Sequence, residues 1–182
     1  MVRLKDGREA VIRPARYADA SHLLEAQQRT HGAGIGVVRS PEELPRTVRE
    51  QEEFMRDWIE GPKSGAGGLM LVAEVGGRVV GEATIRRQAP ARVRHCAHVA
   101  IEVDVPAQGL GIGRALMEGL LEWARTGEGR GVTRIDLFVF ADNVRAISLY
   151  RSLGFVEEGR RRNYIRQPDG TVIDDLMMAL LL

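Results

Sequence analysis

The sequence predicts a mixed α/β (α+β) domain built on a largely antiparallel sheet. Three observations carry this. Stretches rich in β-branched and aromatic residues recur and gather in the middle of the chain. Helical periodicity appears between them in an irregular order, not in the strict strand–helix alternation of a parallel sheet. Gly76-Gly77 and Pro168-Asp169-Gly170 stand where hairpins would turn.

Residues 2–13 alternate around Lys5-Asp6-Gly7-Arg8 and read as a strand or hairpin. Over 17–30, Ala20, Leu23, Leu24 and Gln27 fall at helical spacing, with Asp19 near the start. Gly32 to Gly36 is a breaker. Ser40-Pro41-Glu42-Glu43 offers a cap, a first-turn proline and first-turn acids, so a second helix is expected from there to about Ile59. Gly61 to Gly68 is a glycine-rich connector without the Gly-Lys-Ser/Thr ending of a nucleotide P-loop. Strands follow over 69–75, 78–85 and 97–105, the last closed by Pro106. Residues 112–125 form a helix with Ile112, Leu116, Leu120 and Trp123 near one face. A strand over 132–140, a short helix over 143–153 ended by Gly154, and strands over 155–158 and 172–180 complete the order.

The 182 residues make one domain, 1–182, long enough to bury a core unaided. A net charge of +1 gives no large field for nucleic acid or an anionic membrane, so neither is expected as a partner. No apolar run is long enough to span a bilayer, and Met1 to Pro14 lacks the apolar stretch of a signal peptide. Cys96 is the one cysteine, which excludes an internal disulfide and a cysteine-rich metal site; no metal is expected, and a reducing cytoplasmic setting fits. Its apolar surroundings read as a buried, inert thiol.

The most informative segment is Val103-Asp104-Val105-Pro106-Ala107-Gln108-Gly109-Leu110-Gly111-Ile112-Gly113-Arg114-Ala115. A strand ends, glycines recur at alternate positions, and a helix begins. The first N–H groups of a helix lack internal partners and the dipole is positive there, so this turn suits a pyrophosphate. Glycine spacing alone is weak, because tight strand-to-helix turns also use glycine. The dinucleotide-binding pattern needs a glycine where Arg114 stands.

Gln108-Gly109-Leu110-Gly111-Ile112-Gly113 resembles the Gln/Arg-x-x-Gly-x-Gly/Ala motif of the GNAT N-acetyltransferases. Asp142 to Phe155 is similar to that family's Asn-x-x-Ala-x-x-x-Tyr-x-x-x-Gly-Phe, with Asn143, Ala146, Tyr150, Gly154 and Phe155 in register. The resemblance covers most of the chain and is weakest over 30–68. It implies a twisted, mostly antiparallel sheet of six to seven strands with about four helices, and acetyl-CoA as acetyl donor. It implies that the amides of Gly109, Leu110, Gly111, Ile112, Gly113 and Arg114, with Gln108, bind the pyrophosphate. Val103 and Val105 would bond the pantetheine arm through their backbone, and Asn143 would contact the cofactor. A homodimer is a further implication.

Acetyl transfer to an amine sets three tasks. The amine must lose a proton, since an alkyl ammonium titrates near ~10.4. The oxyanion needs a donor, which the resemblance assigns to the backbone N–H of Val103. The departing thiolate needs a proton, which a tyrosine near pKa ~10 can supply, and the motif makes that Tyr150. Spacing alone would read Tyr150 as a core residue sharing a helix face with Ala146 and Ile147. For the base, His98, Ala100, Glu102 and Asp104 alternate on one strand face. That polar stripe lines a cleft or is the wet side of a sheet. His98 stands ahead as base. Glu102 is the second candidate, acting through water unless a bulge turns it away. His95 and Glu82 are weaker candidates for the base, each fitting a satisfied structural role better.

Arg161-Arg162-Asn163-Tyr164, Asp169-Gly170, Asp174 and Met178-Ala179-Leu180 resemble the ribosomal-protein alanine acetyltransferases. Those enzymes carry a catalytic glutamate where Phe138 stands here, which counts against N-terminal protein acetylation. Arg94 to His98, Val139 to Asn143 and Glu158-Gly159 look closer to bacterial GNAT enzymes acting on free amino acids or similar small amines. The expected function is therefore small-amine N-acetylation by direct attack in a ternary complex. The alternatives are a protein N-terminal acetyltransferase and a non-catalytic CoA-binding sensor.

Overall fold

A computed structural model describes residues 1–34, 36–61, 67–126, 129 and 131–182. The strands are β1 (Val2–Arg3), β2 (Glu9–Pro14), β3 (Gly68–Val75), β4 (Arg78–Arg87), β5 (Cys96–Val103), β6 (Arg134–Phe140), β7 (Val156–Arg166) and β8 (Val172–Leu181). The helices are α1 (Ala20–Gly32), α2 (Val48–Ile59), α3 (Ile112–Arg125) and α4 (Val144–Ser152). Among the described residues the sheet has eight strands, ordered β1-β2-β3-β4-β5-β6-β8-β7. That exceeds the expected six to seven because the N-terminal stretch folds back on itself, pairing Val2 with Ala10. Every pairing is antiparallel except β5 with β6.

The second helix starts later than the sequence predicts. Ser40 does cap a turn, but that turn is a 3-10 segment ending at Glu43. Leu44 precedes Pro45 and is extended, at φ −82 and ψ 157. A proline ring clashes with a helical residue before it, so the chain must leave the helix there. It re-enters at Thr47, whose side chain accepts from the Glu50 amide at 3.2 Å. The strand expected over 97–105 stops at Val103, because Val105–Ala107 winds into a 3-10 turn. The last hairpin is longer than expected, with β7 running to Arg166. The connector expected over 61–68 lies largely outside the described residues, as does one position of the breaker at 32–36.

Two layers cover the sheet. Leu116, Met117 and Leu120 of α3 are fully buried against one face, with Ile147 and Tyr150 of α4 in the same cluster. Each such burial contributes roughly 1.5–3 kcal/mol. Leu23 of α1 and Met55 of α2 pack on Met70, Val72 and Val79 on the opposite face. The strands of the middle sheet therefore show two buried faces, and β3 reads as an almost continuous apolar run.

The decisive feature lies between β5 and β6. Their parallel pairing covers Cys96, Ala97 and His98 opposite Arg134, Ile135 and Asp136, and no further. Both strands continue, to Val103 and Phe140. They separate into a V whose apex is His98 and Asp136. Backbone groups of residues 99–103 on that edge have no β6 partner.

Candidate active site

The open end of the V meets the start of α3. Gly111 caps that helix in the left-handed region at φ 100, and Gly109 sits at φ 82. A Cβ on either would meet nothing within 4 Å, so the surface over them is open. The conformation, not crowding, requires glycine there. No side chain caps α3. The first-turn amides of Ile112, Gly113 and Arg114 fall outside the helical ladder and face this open surface. An anion is the fitting partner for them. Gly113 packs closely, its missing Cβ 3.4 Å from Leu149 of α4.

Gln108 ties the turn to the strand edge. Its Nε2 donates to the Val103 carbonyl at 3.0 Å, and its Oε1 accepts from Arg145 at 3.2 Å. The Asp104 amide bonds to Val80 of β4 at 2.9 Å. Alternation along an antiparallel pair then turns the backbone groups of Val103 the other way, toward the V. Val105 lies beyond the strand, in the 3-10 turn, with its carbonyl accepting from the Gln108 amide at 3.3 Å. The Leu110 carbonyl accepts from Lys5 at 3.1 Å, and Arg114 reaches Ser152 on α4 at 2.6 Å.

Tyr150 lies on the α3–α4 side of the sheet, 6% exposed. Its ring centroid is 6.0 Å from that of Phe155. Its hydroxyl has no hydrogen-bond partner among the described residues. Burial pushes the phenol up to about 12, so it holds its proton at neutral pH. Asn143 caps α4, its Oδ1 accepting from Ala146 at 3.1 Å. Its Nδ2 faces Gly36, where a Cβ would stand 2.7 Å away. The segment after α1 thus approaches α4 at the mouth of the V.

The opposite face of β5 carries the acid–base groups. His98, Ala100 and Glu102 project there, while Ala97 and Val99 enter the α3 core. His98 Nδ1 lies 2.6 Å from Asp136 Oδ1 across the V's apex. His98 and Asp136 line a cleft of about 400 Å³ with Arg134, Phe138, Glu158 and Met177. Glu102 has not been turned away: the β4–β5 register runs unbroken from Gly81–Val103 to Arg87–Ala97, and the bulge that would have done so is absent. Glu102 Oε2 sits 3.1 Å from Nε2 of His31 on α1. Burial opposes the imidazolium of His31, yet its bonds to Glu102 and the Arg39 carbonyl raise its pKa above the ordinary value. Asp104, expected on the same stripe, is buried beyond the strand end and pairs with Arg29 of α1 at 2.7 Å.

Glu82, a weaker base candidate in the sequence, stands directly opposite Glu102 in register. Burial, then the Glu102 charge, pushes it up to about 7. Nothing in its strand context, Val80-Gly81-Glu82-Ala83-Thr84, distinguishes it; only the strand pairing does. Asp136 and His31 also escaped sequence reasoning. Asp136 lies in an apolar strand 38 residues from His98, and only the parallel register brings them together. His95 is exposed, and its carbonyl accepts from Thr133 at 2.9 Å. Cys96 is half-buried, not buried as expected. Among the described residues no group of three or more metal-ligating side chains forms, and no helix is long and apolar enough to cross a membrane.

A strand pair opened into a V, a helix start with free amides at its mouth and a protonated tyrosine on the α3–α4 side are the features that an acyl-CoA-dependent acyltransferase requires. The "Acetyltransferase (GNAT) family" model matches residues 27–155, and the chain belongs to that family. It is an N-acetyltransferase using acetyl-CoA as donor. The chain is 33% identical over 161 residues to the L-amino acid N-acetyltransferase AaaT of Escherichia coli K12, covering 86% of this chain and 95% of that protein. It is 48% identical over 83 residues to the ribosomal protein bS18 alanine N-acetyltransferase of the same organism, covering 46% of this chain and 52% of that one. Among solved structures, a GNAT-family acetyltransferase from Streptococcus pneumoniae superposes with a TM-score of 0.84 at 27% identity, covering 96% of this chain and all of that one.

Proposed function

We propose that the protein transfers acetyl from acetyl-CoA to the primary amine of a small molecule such as a free amino acid, by direct attack in a ternary complex. The observation that carries this reading is the V between β5 and β6. One side presents the α3 amides and Tyr150; the other presents His98 and Glu102. A thioester drawn into the V would meet a proton donor on the first side and an amine arriving from the second. The similarity to AaaT over nearly its whole length supports an amino-acid acceptor. The amides from Gly109 to Arg114, with Gln108, hold the pyrophosphate in this reading. The second lone pair of the Val103 carbonyl, which also accepts from Gln108, holds the pantetheine arm, and the Val103 N–H serves the oxyanion. Val105 and Asn143 flank that path.

Tyr150 is the general acid, protonating the departing thiolate. His98 is the base. A carboxylate accepts a hydrogen bond, so Asp136 fixes the His98 proton on Nδ1 and leaves the Nε2 lone pair available. Glu102 is the second group able to receive the proton through water. Phe138, under the Arg161 guanidinium at 4.1 Å, leaves no carboxylate where the ribosomal-protein enzymes carry theirs, which disfavours a protein N-terminus as acceptor. A cytoplasmic setting and a homodimer complete the reading. The test is a screen of amino acids, polyamines and peptides for coenzyme A release. Release with free amino acids is expected. Binding of acetyl-CoA without turnover on any amine would leave a CoA-binding sensor instead.

A further inference from the structure

Between α1, α2 and the β4–β5 face lies a second cleft, of about 270 Å³. Its floor is the cross-strand pair Glu82 and Glu102. Like charges directly opposite in a sheet are destabilising, and packing alone gives no reason for them here. Gln27, 5% exposed, donates through Nε2 to Glu82 Oε1 at 3.0 Å. That leaves one oxygen on each of three residues lining the cleft: Gln27 Oε1, Glu82 Oε2 and Glu102 Oε1. None has a hydrogen-bond donor among the described residues, and all are shielded from bulk solvent. A primary ammonium carries three N–H donors and a positive charge, which is the complement of this set. His31 bonds only Glu102 of the two, and the proton that Glu82 keeps up to about pH 7 is the one an incoming ammonium would displace.

The cleft also carries the opposite charge. Arg39 lines it, its guanidinium 5.6 Å from the Phe54 ring. Among the described residues Arg39 has no carboxylate partner. A guanidinium so placed offers bidentate bonds to a carboxylate. The geometry points to a subsite for the zwitterionic end of an α-amino acid, with its ammonium at Glu82, Glu102 and Gln27 and its carboxylate at Arg39. The groups facing Glu82 across this cleft are thus Glu102, His31, Gln27 and Arg39.

Such a subsite holds the α-amine as ammonium, because neighbouring carboxylates favour its charged form. An ammonium has no lone pair with which to attack. The amine that is acetylated is then a second one, further along the acceptor, which leaves His98 and not Glu102 as its base. Glu102 and His98 are four residues apart on one strand, roughly 13 Å at ~3.3 Å per residue, with small, exposed Ala100 midway between them. A side chain extended over Ala100 would carry its terminal amine toward the V. The acceptor class is a diamino acid such as lysine or ornithine. This rests on the acetyltransferase reading above and deepens it.

Two measurements on the full chain separate the two ideas. The first is coenzyme A release with L-lysine and with n-pentylamine, which has the same reacting amine and no zwitterion. Lysine should exceed the monoamine in kcat/KM by about tenfold or more, chiefly through KM. Glu82→Gln and Arg39→Met should each bring that ratio close to one, whereas a merely structural loss would lower both substrates together and preserve it. The second is calorimetric binding of L-norleucine, which carries the zwitterion but no side-chain amine. Norleucine should bind, should not be acetylated as lysine is, and should lose affinity about tenfold in either variant. If no amine is acetylated but norleucine binding shows this pattern, the subsite stands and the proposed reaction falls. Equal norleucine binding in wild type and variants, no binding at all, or acetylation of norleucine at the rate of lysine overturns the subsite.

Discussion

Tyr150 is a core residue by position, and the proposed reaction gives it a chemical role as well. Burial raises its pKa to about 12, so the phenol holds its proton at neutral pH and, in the proposed reaction, is the donor beside the departing thiolate. Tyr150→Phe should lower kcat by about 10²–10⁴ while leaving acetyl-CoA affinity nearly unchanged, a split that steady-state kinetics and calorimetry read together. Unaltered turnover would remove Tyr150 as the acid. On the other face, His98→Ala should abolish the limb of the pH–rate profile that reports the base. Asp136→Asn should weaken it as well, by releasing the Nδ1 proton from its acceptor. An unchanged profile in both would move the role to Glu102 or water. Glu82 makes a stability prediction with a definite sign. Its folded pKa, about 7, lies above the ordinary 4.5. The folded state therefore keeps a proton that the unfolded chain has lost, and stability from this group is full below about 4.5 and declines as pH rises through 7. Glu82→Gln removes that decline. Across this window its stability should gain on wild type by at most about 3 kcal/mol, as measured by denaturant unfolding at pH 5 and pH 8. Parallel curves for the two proteins would mean that Glu82 is not held protonated.

At the scale of elements, the strand-to-helix turn and α4 were legible because they are local. Gly109, Gly111, Asn143 and Gly154 mark backbone conformations that a short window of sequence determines. Helix α3 was readable to its last residue for the same reason: its apolar stripe is continuous from Ile112 to Trp123. The start of α2 was not, since Ser40-Pro41-Glu42-Glu43 satisfies every capping rule while Pro45, two residues further, cancels it. The bond partners of His98 and Glu102 were illegible. Asp136 reaches His98 through a parallel pairing across 38 residues, and His31 reaches Glu102 across 71. No pattern in one strand fixes its register against another. The helix packing makes its own prediction. A Cβ on Gly119 of α3 would stand 2.7 Å from Leu71 Cδ1 of β3. Gly119→Val should destabilise by about 1–3 kcal/mol in urea or guanidinium unfolding. A neutral or stabilising outcome would show that the Leu71 methyl swings aside and that this contact does not set the spacing of α3 from the sheet.

For the whole molecule, the proposed function rests on one departure from regular pairing. An uninterrupted sheet would satisfy the facing edges of β5 and β6 along their full length and leave no path from one face to the other. Here pairing ends at His98 and Asp136, and the two helical layers place different chemistry on either side of the opening. The α3 first-turn amides and Tyr150 lie on the face covered by α3 and α4; His98, Glu102 and Glu82 lie on the face covered by α1 and α2. The most direct measurement is a crystal structure of the protein with coenzyme A. The diphosphate should lie within hydrogen-bond reach of the amides from Gly109 to Arg114, the pantetheine arm along the edge of β5, and the sulfur beside the Tyr150 hydroxyl. A nucleotide bound elsewhere, with β5 and β6 closed over an empty seam, would contradict the account.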